Sequence, residues 1–167
     1  MNRAGEASAV TIRLATAEDA PLLHALMLEL AAATGRAGKV TGSPEAFRQH
    51  AALFDALLAE RRGRPLGFCL FFTSFSSWRG EPGIYIQDLY VAEEARTAGL
   101  GRRLLAAAVR HARRGGARYL RLSVARDNRA ARDFYARIGL AHAADECIYQ
   151  AVGAEFERLA GVGEVPP

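Results

Sequence analysis

The chain has 167 residues and a net charge of +4; 50% of the residues are hydrophobic and 24% are charged, which favours one globular domain and excludes a disordered or fibrous chain. It contains no run of about 18 apolar residues that could span a membrane, and Met1–Val10 lacks the apolar core of a signal peptide, so we expect a cytoplasmic protein without membrane contact. Its two cysteines, Cys69 and Cys147, are too few for a disulfide framework or a cysteine-rich zinc site, and we expect no metal.

The first half of the chain is predicted to contain a strand, two helices and a hairpin. Leucines at helical spacing define the first helix, and Ser43 before Pro44 marks the start of the second. The predicted elements are a disordered tail over 1–9, a strand over 10–14, a helix over 17–33, a helix from Pro44, an antiparallel strand pair over 56–60 and 66–72, and a loop over 74–83.

The second half alternates strands and helices. Branched and aromatic residues over 84–91 give the strongest strand prediction, and Gly115 with Gly116 ends the helix that follows it. The predicted elements are strands over 84–91, 119–124 and 146–152, helices after Gly99, from Asn128 to Ile138 and over 155–160, and a tail over 162–167. This order predicts one α/β domain over 10–161, with a mixed, mostly antiparallel sheet flanked by helices.

The basic residues are unevenly distributed. Twelve arginines and only Asp127 and Asp133 lie between Arg96 and Arg137, a local balance of +10, and the rest of the chain sums to −6. Such a segment favours an anionic partner, either a nucleic acid or a phosphorylated cofactor. It offers Tyr119 and the adjacent Phe134-Tyr135 rather than a platform of exposed aromatics, so we expect no nucleic-acid binding.

The chemistry is concentrated where the strand over 84–91 leads into a helix. Two glycines allow a sharp turn and a close approach to a ligand, and the N–H groups of a helix start attract anions. We interpret the segment as a pyrophosphate cradle, with an ordinary strand–helix turn as the alternative. A Walker loop is excluded because no Gly-Lys-Ser/Thr ending follows, and a dinucleotide fingerprint because the third glycine and the later acid are missing. The segment is Arg96-Thr97-Ala98-Gly99-Leu100-Gly101-Arg102-Arg103.

Two motifs resemble those of the GNAT (Gcn5-related) N-acetyltransferase superfamily. Arg-x-x-Gly-x-Gly from Arg96 follows a strand that ends in Leu89-Tyr90-Val91, and the segment from Asn128 through Phe134-Tyr135 to Gly139-Leu140 is similar to the second signature. The opening Ile12–Asp19 is also similar, so the resemblance covers roughly 10–160. Within the superfamily, Trp78-Arg79-Gly80 and Asp88–Val91 look most like the diamine (spermidine/spermine) and related small-amine enzymes.

The resemblance implies roles for acetyl-CoA contacts. The backbone of Leu89, Tyr90 and Val91 is expected to pair with the pantetheine arm, and an N–H of Leu89 or Tyr90 to polarise the thioester carbonyl. The N–H groups from Thr97 to Arg103 would hold the pyrophosphate, with Arg102 or Arg103 also within reach of the 3′-phosphate. Asn128 would bond the pantetheine arm.

The resemblance also implies a general acid. Tyr135 takes that role, because a phenol is protonated at neutral pH and can protonate the leaving thiolate. The general base is open: Gln87 stands where the diamine enzymes have Glu, and strand alternation points the adjacent Asp88 to the other face. Asp88 or another acid acting through water, or an amine that arrives partly neutral, would each supply the missing step.

Candidate amine contacts are Glu29, Trp78, Glu81, Gln87 and Asp88. However, the acid-rich segment that the family carries after its first helix is replaced by Ala31–Lys39, which disfavours spermidine or spermine. We therefore expect direct acetyl transfer to a primary amine of a small diamine, polyamine or amino-acid-like molecule, by a homodimer. A protein or peptide N-acetyltransferase and a non-catalytic acyl-CoA sensor are the alternatives.

Overall fold

The computed structural model describes residues 9–161, which divide between Arg132 and Asp133 into two compact units. The predicted tails lie outside the described residues, except for Ala9. The strands are β1 (Thr11–Leu14), β2 (Asp55–Arg61), β3 (Arg64–Ser76), β4 (Glu81–Val91) and β5 (Tyr119–Leu122). The helices are α1 (Ala20–Ala33), α2 (Pro44–Gln49), α3 (Leu100–Arg114), α4 (Arg129–Arg137) and α5 (Ala154–Ala160). No helix among the described residues has the length and apolar character needed to cross a membrane.

The first unit is built on a five-stranded sheet in the order β1-β2-β3-β4-β5. The first three pairings are antiparallel, and β4 pairs with β5 in parallel through the crossover helix α3. The prediction of an α/β fold with a mixed, mostly antiparallel sheet is confirmed.

Local sequence accounts for the starts of α1 and α2. The Asp19 carboxylate accepts a hydrogen bond from the Thr16 backbone N–H at 2.8 Å, and Arg13 donates to it from β1. The Arg13 guanidinium lowers the pKa of Asp19 to about 2. The Ser43 side chain accepts from Ala46 N–H at 3.2 Å and caps α2, as predicted.

Helices cover both faces of the sheet. On the face we call the α1 face, Leu23 and Leu26 pack against Phe68, Leu70 and Tyr90 in one core cluster. The opposite face, the α3 face, carries Phe71, whose ring lies edge-on to His111 of α3 at 5.8 Å. Because ladder partners share a face, strand register assigns each β4 side chain to one side.

The predicted loop over 74–83 is wrong for most of its length. β3 and β4 continue their ladder out to Ser76 and Glu81, and only 77–80 form the turn, with Gly80 at φ +64°. Serine and glycine favour loops locally, but here a continuous antiparallel partner supplies their hydrogen bonds.

The second unit contains the end of α4 and the helix α5. Gly139, at φ +91°, ends α4 in the left-handed conformation that favours glycine. The predicted strand over 146–152 is wrong: residues 140–153 belong to no helix or strand. Alternation alone does not make a strand, because a strand needs a ladder partner, and no ladder among the described residues reaches beyond Leu122.

Candidate active site

A fork opens where β4 and β5 separate. The two strands pair from Gly83–Tyr119 to Ile86–Leu122, and β4 then continues alone beside β3 as far as Val91. We call residues Gln87–Val91 the open half of β4. An unpaired strand edge presents backbone N–H and C=O groups that an extended ligand could bind. The open half includes Leu89, Tyr90 and Val91, the residues that the family resemblance implies for the pantetheine arm.

The open half begins with a β-bulge at Gln87. Phe71 pairs with Ile86 and Leu70 with Asp88, which leaves Gln87 as the extra residue. The bulge puts Ile86 on the α3 face and Asp88 on the α1 face, whereas strict alternation would put both on one face. The alternation on which the sequence argument about Asp88 rests is therefore broken at this position, and no local sequence signal marks the break.

Two carboxylates flank Tyr90 on the α1 face. Asp88 precedes Tyr90 by two residues in β4, and burial raises the pKa of its carboxyl group above the ordinary value. Tyr90 is 9% exposed, and burial together with the nearby Glu29 carboxylate of α1 raises the pKa of its hydroxyl. The structure thus brings together Glu29, Asp88 and Tyr90 from the predicted site.

Cys69 lies behind this group, opposite Leu89 in the ladder, and is fully buried. Burial and the Asp88 charge raise the pKa of its thiol to about 12, which leaves no thiolate at neutral pH. The thiol is therefore unreactive, as its buried strand position predicts.

The chain turns after Val91 into a 3-10 segment, Glu93–Ala98, that includes Thr97 and leads to α3. The Arg96 side chain folds back, and its Nε donates to the Val91 carbonyl at 3.0 Å. Gly99 is the N-cap of α3 at φ +67°, and a Cβ there would meet no atom within 4 Å. The first N–H groups of the helix have no partner within it, and the cap has no side chain to offer them.

Arg102 and Arg103 follow on the first turn of α3. Together with Gly99 they line a cavity of about 350 Å³ whose other lining residues are Ile12, Ala106 and Arg110. Arg103 is partly engaged, since its Nη2 donates to the Val10 carbonyl at 2.8 Å. Among the described residues, the Arg102 side chain has no hydrogen bond or ion pair. The helix start is therefore an open, basic site with a free backbone approach.

Asn128 follows β5 and caps α4 with its side chain. Its Oδ1 accepts from Ala131 N–H at 3.1 Å, and its amide nitrogen could donate to a ligand. The preceding Asp127 makes an ion pair with Arg36, whose Nη2 donates to Oδ1 at 2.8 Å and to Oδ2 at 3.1 Å. Sequence reasoning missed this pair, because the two residues are 91 positions apart and neither belongs to a motif.

Trp78 and Glu81 lie away from this group. Trp78 is 99% exposed at the β3–β4 turn, and Glu81 is the first residue of β4. Asp88 lies seven positions after Glu81 along β4, which corresponds to about 23 Å. Within this chain, Trp78 and Glu81 cannot contact an amine held at Asp88.

Tyr135 lies on the part of α4 that belongs to the second unit. Its ring packs edge-on against Phe134, with centroids 5.1 Å apart. Its assignment as general acid depends on the motif alone. No group of three or more His, Cys, Asp or Glu residues that could ligate a metal occurs between residues 9 and 161.

Comparison with known proteins gives one consistent family. The chain matches the family model described as acetyltransferase (GNAT) family over residues 24–140. It is 31% identical to thialysine N-epsilon-acetyltransferase of Bos taurus, with 91% of this chain and 98% of that protein covered. It is 40% identical to the N-acetyltransferase YhfO of Bacillus subtilis (strain 168), but that match spans only 50% of this chain and 56% of YhfO.

Solved structures show the same fold. An integron cassette protein from the mobile metagenome of V. cholerae superposes with a TM-score of 0.76 at 20% identity, over 91% of this chain and 98% of that one. The sheet with its fork, the family match and the full-length relative lead to one conclusion: the chain belongs to the GNAT family of acetyltransferases and is an acyltransferase.

Proposed function

We propose that the chain transfers the acetyl group of acetyl-CoA directly to a primary amine of a small diamine, polyamine or amino-acid-like molecule. The observation that carries the proposal is the fork: an unpaired β4 edge runs past a half-buried carboxyl group, that of Asp88, and leads to the uncapped start of α3 at Gly99. The expected cytoplasmic location and homodimeric state remain predictions from the sequence.

The α3 start fits a pyrophosphate. The left-handed Gly99 leaves room for close approach, and the helix N–H groups with the unpaired Arg102 supply partial and full positive charge. Backbone N–H groups from Thr97 to Arg103 would bind the phosphate oxygens, and Arg96 would act mainly by fixing the turn at Val91. Asn128 would donate to the pantetheine arm from its amide nitrogen.

Asp88 is the proposed general base. Its raised pKa makes it a better proton acceptor than an ordinary exposed aspartate, and it lies on the same face as Tyr90, which interacts with Glu29. Glu29 would hold a cationic group of the acceptor. Gln87, at the bulge, cannot accept a proton and would orient the acceptor by hydrogen bonding.

Two side chains then account for the proton transfers of the reaction. The amine nitrogen attacks the thioester carbonyl while its proton passes to Asp88, directly or through water. A backbone N–H of Leu89 or Tyr90 stabilises the oxyanion, an interaction that typically contributes a factor of about 10²–10³. The C–S bond breaks, and the thiolate takes its proton from the Tyr135 hydroxyl.

The relatives support the acceptor class. The Bos taurus relative is named for acetylation of thialysine, an amino acid with a side-chain amine, and it aligns over nearly the whole chain. Glu29 and Asp88 are suited to such a cationic acceptor. Trp78 and Glu81 could contribute only from a second copy of the chain, because about 23 Å separates them from Asp88 within one copy.

A screen of purified protein with acetyl-CoA and an amine panel, followed by free thiol release, tests the proposal. The panel contains diamines, polyamines, thialysine, aminoglycosides and peptides. We expect turnover on a small amine, and we expect Tyr135→Phe to lower kcat by about 10²–10⁴ without weakening acetyl-CoA binding.

Tyr149→Phe is the matched control, because Tyr149 is 92% exposed and has no assigned role. It should keep wild-type turnover. Turnover on peptides alone would identify a peptide N-acetyltransferase, and tight acetyl-CoA binding without any turnover would identify a sensor. Wild-type kcat in Tyr135→Phe would assign the proton donor elsewhere.

A further inference from the structure

One ion pair joins two segments that are distant in sequence. Arg36 Nη2 donates to both carboxylate oxygens of Asp127, and Arg36 Nη1 donates to the Thr34 carbonyl at 2.8 Å. The Arg36 backbone N–H is also bonded, to the Ala31 carbonyl at 2.7 Å. Both terminal nitrogens of the guanidinium are thus engaged, Nη2 by the carboxylate and Nη1 by the Thr34 carbonyl.

Each end of the pair is close in the chain to one half of the proposed site. Arg36 follows the end of α1, beyond the left-handed Gly35, and α1 carries Glu29 beside Tyr90. Asp127 follows β5 beyond the fork and immediately precedes Asn128. The pair therefore joins the chain after α1, the helix that carries Glu29, to the segment that carries Asn128.

The segment that holds Asp127 is fixed by local turn bonds and a few side-chain contacts rather than by the sheet. Residues 123–128 belong to no helix or strand, since the β5 ladder ends at Leu122. Its local bonds run from Asn128 N–H to the Ala125 carbonyl and from Arg129 N–H to the Asp127 carbonyl, each at 2.9 Å, and the Tyr85–Ser123 hydroxyl pair holds its start. An exposed ion pair contributes little to overall stability, but Arg36–Asp127 ties this ladder-free segment to the chain that follows α1.

We propose that Arg36 is a positioning residue which, through Asp127, couples the cofactor contact at Asn128 to the amine contact at Glu29. Binding of acetyl-CoA at one end then orders the segment at the other end and raises the affinity for the amine. The inference rests on the proposed function, because it uses Asn128 and Glu29 in those roles. Coupling of this kind is reciprocal between the two ligands.

Hydrogen exchange with CoA as the probe tests the coupling without turnover. In the wild type, CoA should slow exchange at residues 97–103 and also at residues 30–36. In Arg36→Ala and in Asp127→Ala, protection at 97–103 should remain and protection at 30–36 should be lost. The charge-reversed double variant, Arg36→Asp with Asp127→Arg, should restore part of the second protection.

Arg48→Ala is the matched control, because it breaks an exposed ion pair of similar length, Arg48–Glu45 at 2.6 Å, within α2. It should behave as the wild type. With the best acceptor from the amine panel, Arg36→Ala should raise the amine KM about fivefold or more and leave kcat near its wild-type value.

The outcomes distinguish a failure of the proposed cofactor site from a failure of the coupling. Absence of CoA protection at 97–103 in the wild type would overturn the cofactor site and the inference with it. The coupling alone would be overturned if CoA protected residues 97–103 of the wild type without protecting residues 30–36. It would also be overturned if protection at residues 30–36 persisted in Arg36→Ala.

Discussion

The two halves of β4 differ in what lies along their edges. Residues Glu81–Ile86 pair with β3 on one side and, from Gly83 on, with β5 on the other, while beyond the bulge at Gln87 residues Asp88–Val91 pair only with β3. In the first half, Tyr85 stacks on Phe72 at 5.2 Å and its hydroxyl pairs with Ser123. In the open half, the bulge at Gln87 changes the face to which the following side chains point, and Asp88 is half-buried without an ion pair among the described residues.

The difference shows how one strand serves two purposes. Where both edges are used, polar groups are satisfied within the protein, and the strand stabilises the sheet. Where one edge is open, the backbone N–H and C=O groups lack partners, and burial disfavours the ionised form of the Asp88 carboxyl group. A bound ligand can offset both of these costs. Substitutions in the two halves should therefore separate stability from activity.

The largest expected effect follows from Asp88→Asn. If Asp88 is the base, kcat should fall by about 10²–10⁴. Because burial raises the pKa of Asp88, the acid limb of the wild-type kcat/KM profile should lie above the usual aspartate range, and the variant should lose that limb. A pH-rate profile with the best acceptor measures both effects.

The same variant should gain stability. A carboxyl group with a raised folded-state pKa destabilises the fold once the pH exceeds its unfolded-state value, and the cost is fully present above the folded-state value. Asp88→Asn should therefore raise Tm near pH 7 and raise it less near pH 4. Glu45→Gln, on exposed α2, is the control and should change neither quantity. An unchanged kcat in Asp88→Asn would place the base elsewhere.

Two glycines allow matched substitutions, one against each half of β4. A Cβ on Gly67 would overlap the Tyr90 carbonyl oxygen and lie 3.1 Å from Val91 Cα, so Gly67→Ala must displace the open half. A Cβ on Gly83 would overlap the ring of Tyr119, so Gly83→Ala strains the fully paired half. Each should cost about 1–3 kcal/mol of unfolding free energy.

Only Gly67→Ala should also reduce kcat, by up to about 10²-fold, because a displacement near 1 Å in the reacting backbone is that costly. Urea unfolding and initial rates at saturating acetyl-CoA measure the two quantities on the same samples. If Gly83→Ala lowered kcat as strongly as Gly67→Ala, the two halves would not differ in function.

Local sequence predicted those parts of the site that depend on local chemistry. The glycines at 99 and 101 and the helical spacing after them were sufficient to place α3 and its open start. The helix capped by Asn128 was likewise predicted from a polar residue before an amphipathic run, although its Oδ1 proved to be used by Ala131 N–H.

Features that depend on a distant partner were not predictable. At the bulge, two neighbouring residues of β4 stand opposite one position of β3, so Gln87 has no ladder partner. The strand predicted over 146–152 does not form because it has no ladder partner among the described residues. The β3–β4 hairpin is longer than its Ser- and Gly-rich sequence suggests, and that extra length separates Trp78 and Glu81 from Asp88.

The smallest expected effect concerns the fork itself. Tyr85→Phe removes the hydroxyl that lies 2.5 Å from Ser123 Oγ but keeps the ring stacked on Phe72. The loss should be about 1 kcal/mol, or about 2–4 °C in Tm for a chain of this size, with kcat near the wild-type value. Ser123→Ala removes the same bond from the other side, so the double variant should cost about as much as either single one. Additive losses would show that the two hydroxyl groups act independently, and a large loss of kcat would move the functional boundary of β4 from Gln87 back to Tyr85.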